Sequence, residues 1–125
     1  MARILLTEDD AAVRTFGSRA LQLDGHDVVT AEDGEEALDV LKHEDGEFDL
    51  LLTDVKMPIM DGIALTHYAA RDWPALPIVI MTGYADQRER ARGLEDIVLN
   101  IVTKPFSLAD IRSAVSVALA DKMAA

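Results

Sequence analysis

Glu8, Asp9 and Asp54 stand where apolar runs stop. Ile4-Leu5-Leu6 leads into Thr7-Glu8-Asp9-Asp10, and Leu50-Leu51-Leu52 leads through Thr53 to Asp54. Ile78-Val79-Ile80-Met81 ends in the same way at Thr82, and Ile101-Val102 at Thr103-Lys104-Pro105. A single aspartate after a strand is ordinarily a cap or turn residue, so no one of these positions carries chemistry by itself. Together they offer three carboxylates, a hydroxyl and an ammonium. Two carboxylates about 4 Å apart repel by about 4 kcal/mol at an effective dielectric near 20. A clustered trio therefore needs a cation or a proton to relieve it. Oxygen-only ligands favour Mg2+, which is hard, octahedral and commonly held by one or two carboxylates while sharing a phosphoryl oxygen. A carboxylate open to attack beside such an ion is the chemistry of an aspartyl phosphate, in which an Asp is the nucleophile, and Lys104 and Thr82 fit as phosphoryl contacts.

That chemistry requires elements that bring the four run ends together. Apolar runs alternate with segments of helical period: Ile4–Leu6 then Ala12–Leu23, Val28-Val29 then Glu35–Lys42, Leu50–Leu52 then Ile63–Arg71, Ile78–Met81 then Asp86–Arg92, and Ile101-Val102 then Leu108–Leu119. Strands without polar alternation are buried on both faces, the pattern of a parallel sheet covered by helices. Five such pairs predict an α/β fold, a doubly wound five-stranded parallel sheet with five helices. Strand order 2-1-3-4-5 makes the first and third strands neighbours and places Glu8, Asp9 and Asp54 at the switch point, outside the carboxyl ends of the strands. Capping-box spacings at Asp33 with Glu36, Asp86 with Glu89, and Ser107 with Asp110 mark helix starts. Asp10 and Asp61 are read as helix starts rather than as chemistry. In the last helix Leu108, Ile111, Val115, Ala118 and Leu119 form one apolar stripe.

The chain has 125 residues, 23 acids against 12 lysines and arginines, a formal charge of -11 and no cysteine. One domain over residues 1–125 is expected at this length, with no room for a second. The acidic balance and the lack of a basic segment argue against direct nucleic-acid binding. No apolar run is long enough to cross a membrane, and Met1-Ala2-Arg3 opens no signal peptide, so a cytoplasmic location is expected. His26, His43 and His67 share no metal-ligand spacing and are assigned to surface or packing roles. Trp73, beside Pro74, is expected to anchor the turn after the third helix. The cluster Arg88, Arg90 and Arg92 reads first as a solvated face and second as a partner contact.

ILLTEDD, LLLTDVKMPIMDG, IVIMTGY and IVTKPF, in this order and each at a strand end, together resemble the receiver domain of two-component response regulators. The resemblance covers essentially the whole chain. It implies that Asp54 accepts a phosphoryl group from a histidine kinase or a histidine phosphotransfer protein. It assigns Mg2+ to Glu8, Asp9, Asp54 and the backbone carbonyl of Lys56, and it makes Thr82 the switch hydroxyl and Lys104 the phosphoryl-pairing lysine. Pro58 and Gly62 fit the turn after the phosphorylated strand. Lys56 and Tyr84 flank the line of water attack and imply slow loss of the phosphoryl group. With no output domain, the signal passes to a downstream protein target. Among such receivers the leading and trailing motifs are most similar to the CpdR type, adaptors governing a ClpXP-type protease in cell-cycle control; a phosphorelay shuttle or a flagellar motor ligand is the alternative. An aspartyl-phosphate hydrolase would need a second Asp two residues after Asp54, where Lys56 stands, and a flavin-binding module would need a glycine- and hydroxyl-rich loop where Glu8-Asp9-Asp10 stands. One departure from the family is Ile101, where many receivers carry Tyr or Phe; it moves the expected readout to Tyr84 and the Asp86–Arg92 helix.

Overall fold

Thr7, Ala31, Asp54, Thr82 and Thr103 are the last residues of five strands that lie side by side in one parallel sheet. A computed structural model describes residues 2–82, 98, 100–103 and 107–124. Along the chain the elements are β1 (Arg3–Thr7), α1 (Ala11–Leu23), β2 (Asp27–Ala31), α2 (Gly34–His43), β3 (Leu50–Asp54), α3 (Gly62–Asp72), β4 (Ile78–Thr82), β5 (Asn100–Thr103) and α4 (Leu108–Ala124). The order across the sheet is β2-β1-β3-β4-β5, as expected from the sequence. The helix expected over residues 86–92 lies outside the described residues, as do Lys104, Pro105, Tyr84 and the three arginines. The last helix runs on to Ala124 rather than stopping at Leu119, because the residues beyond Leu119 include no helix breaker.

Each apolar run feeds two cores. Leu5, Leu51, Ile78 and Ile80 point to one face, where α2 and α3 cover them through Ala37, Leu41, Leu65 and Ala69. Ile4, Leu6, Leu50, Leu52, Val79 and Met81 point to the other, against Ala20 and Leu21 of α1 and Ile111, Val115 and Ala118 of α4. Successive strand residues face opposite sides. With both sides dry, an unbroken run of leucines is therefore the right strand sequence. Burying one such side chain contributes about 1.5–3 kcal/mol. Ile101 packs half-buried against the first core.

The helix starts are where the sequence marks them. Asp10 accepts from the amides of Ala12 and Val13, Asp33 from Glu36 and Asp61 from Ala64. Ser107 and Asp110 bond reciprocally: the Ser107 amide donates to the Asp110 carboxylate at 2.9 Å and the Asp110 amide to Ser107 Oγ at 3.1 Å. At its far end α1 closes in a Schellman turn on Gly25, with Gly25 N–H donating to Gln22 and His26 N–H to Leu21. α2 ends in the same pattern on Asp45 and Gly46. The Trp73 indole lies directly over Gly46, where a side chain would collide with it, so Trp73 ties the end of α3 to the end of α2. His26 accepts the amide of Ala2 through Nδ1, a packing role.

Candidate functional site: an acid trio at the ends of β1 and β3

Register sets the site. Thr7 of β1 pairs with Thr53 of β3, so the residues that follow, Glu8 just past the end of β1 and Asp54 at the end of β3, come alongside each other. Carboxylate oxygens of Glu8, Asp9 and Asp54 all lie within 4.8 Å of one another. Glu8 and Asp54 are 1% and 5% exposed, while Asp9 is open to solvent. The trio that the sequence singled out is thus brought together, with two members desolvated and one at the mouth.

Local bonds fix each acid. The Glu8 amide extends the β1–β2 ladder by donating to the Ala31 carbonyl at 3.0 Å. Glu8 Oε2 accepts the Asp10 amide at 3.1 Å, and the Glu8 carbonyl accepts Arg14 Nη1 at 2.8 Å. Arg14 also lies 3.6 Å from Glu32, so α1 clamps the end of β1 to the loop after β2. Asp54 Oδ1 accepts the amide of Val55 at 2.9 Å. Thr53 Oγ1 donates to the Asp54 carbonyl at 3.0 Å, and the Gly62 amide donates to the Val55 carbonyl at 2.8 Å. The loop between Asp54 and Gly62 is pinned again at Met60, whose carbonyl accepts the Gly34 amide at 3.0 Å. Lys56 in that loop is exposed.

Thr82 ends β4 fully buried, with no hydrogen-bond partner for Oγ1 among the described residues. An unsatisfied buried hydroxyl costs about 1–3 kcal/mol. Thr7 Oγ1 is in the same condition. Sequence reading passed over Thr7, Thr53 and Arg14. Only the repeat of threonine before acid, Thr7-Glu8 and Thr53-Asp54, could have drawn attention to the threonines.

The donor set fits a small hard dication: three clustered carboxylates, two of them buried, offer oxygen ligands within 4.8 Å of one another. Glu8, Asp9 and Asp54 are the residues that would hold it.

The profile of the response regulator receiver domain matches residues 4–116. The chain is 39% identical over 111 residues to the response regulator receiver protein CpdR of Brucella abortus, covering 89% of this chain and 91% of that protein. It is 37% identical over 114 residues to sensor kinase CckA of the same organism, covering 91% of this chain. The chain spans 12%, 22% and 44% of the length of the first curated relatives it matches. A receiver-domain structure from Clostridium thermocellum superposes with a TM-score of 0.89 over 98% of both chains, at 24% identity, a likeness of fold alone. The family works by phosphorylation-dependent signalling and binds Mg2+ in an acidic pocket of this kind. With the profile spanning nearly its whole length, the chain belongs to the response regulator receiver domain family.

Proposed function

We propose that residues 1–125 form one receiver domain that accepts a phosphoryl group on Asp54 and passes the signal on by binding another protein. The observation that carries this reading is the acid trio, with Asp54 buried at the end of β3 beside Glu8 and Asp9. The donor is a histidine kinase or histidine phosphotransfer protein. An Asp54 carboxylate oxygen attacks the phosphorus of the phosphohistidine; the O–P bond forms, the P–N bond breaks, and the imidazole nitrogen keeps the electron pair and takes a proton from water. Glu8, Asp9, Asp54 and the Lys56 backbone carbonyl hold Mg2+, which when bound supplies positive charge to the phosphoryl oxygens. Lys104 pairs with the transferred group and Thr82 donates its hydroxyl to it. The chain acts as an acceptor that reloads, in the cytoplasm, rather than as an enzyme turning over a substrate. Among the described residues no helix is long and apolar enough to cross a membrane.

The match to CpdR across most of both chains supports a CpdR-like role; the downstream target proposed with it is a protease system, as the resemblance of the sequence motifs implies. The match to part of a sensor kinase supports a second reading, a phosphorelay shuttle. Incubation with acetyl phosphate and Mg2+ should add one acid-labile phosphoryl group, seen by intact-protein mass spectrometry and lost in Asp54→Asn. Modification that persists in that variant would overturn the assignment of Asp54.

A further inference from the structure

Thr7 Oγ1 and Thr82 Oγ1 are the buried side-chain polar atoms that lack a partner among the described residues, and both residues are 0% exposed. They flank the phosphoacceptor strand: Thr7 ends β1, Thr82 ends β4, and both strands pair with β3. Both lie on the sheet face covered by α2 and α3, because Leu5 and Ile80, two residues earlier on each strand, belong to that core. A buried hydroxyl left unsatisfied costs free energy that valine, of nearly the same shape, avoids. At Thr82 the cost has a reason, since its partner arrives with the phosphoryl group. Thr7 has the same signature and no assigned partner.

Register supplies one. Thr7 and Thr53 are direct neighbours on β1 and β3, on the same face, across a strand spacing of about 4.8 Å. Thr53 Oγ1 gives its hydrogen to the Asp54 carbonyl at 3.0 Å and keeps lone pairs for an incoming donor.

We infer that Thr7 is a second hydroxyl switch, a positioning residue whose O–H donates to Thr53 Oγ1 in the phosphorylated state and completes a chain from Thr7 through Thr53 to the Asp54 carbonyl. This rests on the reading of Asp54 as phosphoacceptor. The two O–H dipoles of the chain point towards the residue that has gained negative charge, and each bond strengthens the other. An atom that is unsatisfied in the resting state and satisfied in the modified one tilts the equilibrium towards the modified state. Thr7 thereby acts from the β1 side of Asp54 as Thr82 does from the β4 side. Each threonine of the pair also precedes an acid of the trio, so closing the pair draws the Glu8 and Asp54 strand ends together.

Beryllofluoride with Mg2+ mimics the phosphoryl group and gives a direct affinity by calorimetry, alongside urea unfolding of the unmodified protein. Thr7→Val should raise the urea midpoint of the unmodified protein, by removing the orphan, and weaken beryllofluoride binding about fivefold, the loss of one hydrogen bond. Thr7→Ser should match the wild type in affinity. In a Thr53→Val background, Thr7→Val should cause no further loss of affinity, because the acceptor is already gone. Wild-type affinity in Thr7→Val overturns the inference, whether stability rises, as for an inert orphan, or falls, as for a hydroxyl satisfied throughout by buried water. Additive losses in the double variant overturn the pairing with Thr53. Failure of the wild-type chain to bind beryllofluoride at all is a different result: it removes the phosphoacceptor reading, and this inference with it.

Discussion

A Cβ at residue 62 would fall on the carbonyl oxygen of Asp54 and within 3.1 Å of Val55 Cα. Both are backbone, so neither yields by a rotamer change. Gly62→Ala should therefore destabilise the domain by about 2–4 kcal/mol, read from its urea midpoint, and slow labelling of Asp54 by acetyl phosphate. A loss below about 0.5 kcal/mol, no more than a surface substitution causes, would show that the loop relaxes freely. At this scale the sequence revealed types and places but not contacts. Asp54, Glu8, Asp9 and Thr82 could be singled out because each interrupts or ends an apolar run. Gly62 could be placed in a turn, but not against the Asp54 carbonyl, because that approach depends on how the loop folds back. The missing partner of Thr7 is equally a property of packing, and no residue type announces it.

Ile59 shows what an element conceals. It sits in the loop from β3 to α3 at φ 69°, is 76% exposed, and is bracketed by a bond from the Met60 amide to the Pro58 carbonyl at 2.7 Å. This is the strained hand of a three-residue turn, and a β-branched residue is a poor occupant of it. Glycine, with no Cβ, adopts that conformation without strain, so Ile59→Gly should stabilise the chain by about 1 kcal/mol, seen as a higher urea midpoint. A lower midpoint would mean that the isoleucine makes up for its strain elsewhere. Nothing in the sequence predicts this turn, since Pro-Ile carries no left-handed signal. The caps at Asp10, Asp33, Asp61 and Ser107 were legible because their cause is local, a side-chain oxygen within three residues of the amides it accepts. A second non-local tie is Asp24, at the C-cap of α1, which takes Arg112 of α4 in a multiple hydrogen-bonded pair. That hydrogen bond holds the Asp24 carboxyl below its ordinary value. A carboxyl depressed in the folded state stabilises it above the unfolded pKa and loses that contribution as pH falls through the folded value. The stability difference between wild type and Asp24→Asn should thus be smaller at pH 3 than at pH 7; an equal difference at both would show that the pair contributes nothing through charge.

Over the whole molecule, the fold was legible because one constraint repeats. The inner strands β1, β3 and β4 are covered on both faces, so each reads as an apolar run, and the sheet order is β2-β1-β3-β4-β5. The charge of -11 was legible too, as was the meeting of three of its carboxylates at the switch point; the register of β1 on β3 adds that they converge within 4.8 Å. That convergence separates two effects of salt. Monovalent salt screens the general self-repulsion and should stabilise the fold gradually. Mg2+ at equal ionic strength should do more, because binding to the folded state alone adds RT ln(1 + [Mg2+]/Kd), about 1.4 kcal/mol at ten times Kd, or several degrees in Tm. The excess over NaCl should vanish in Asp9→Ala, which leaves most of the net charge in place but removes the ligand at the mouth of the site. Thermal unfolding of both proteins in NaCl and MgCl2 reads this directly. An excess that survives Asp9→Ala would place the cation elsewhere on the acidic surface, and equal effects of the two salts in the wild type would mean that the trio binds no Mg2+ in that range.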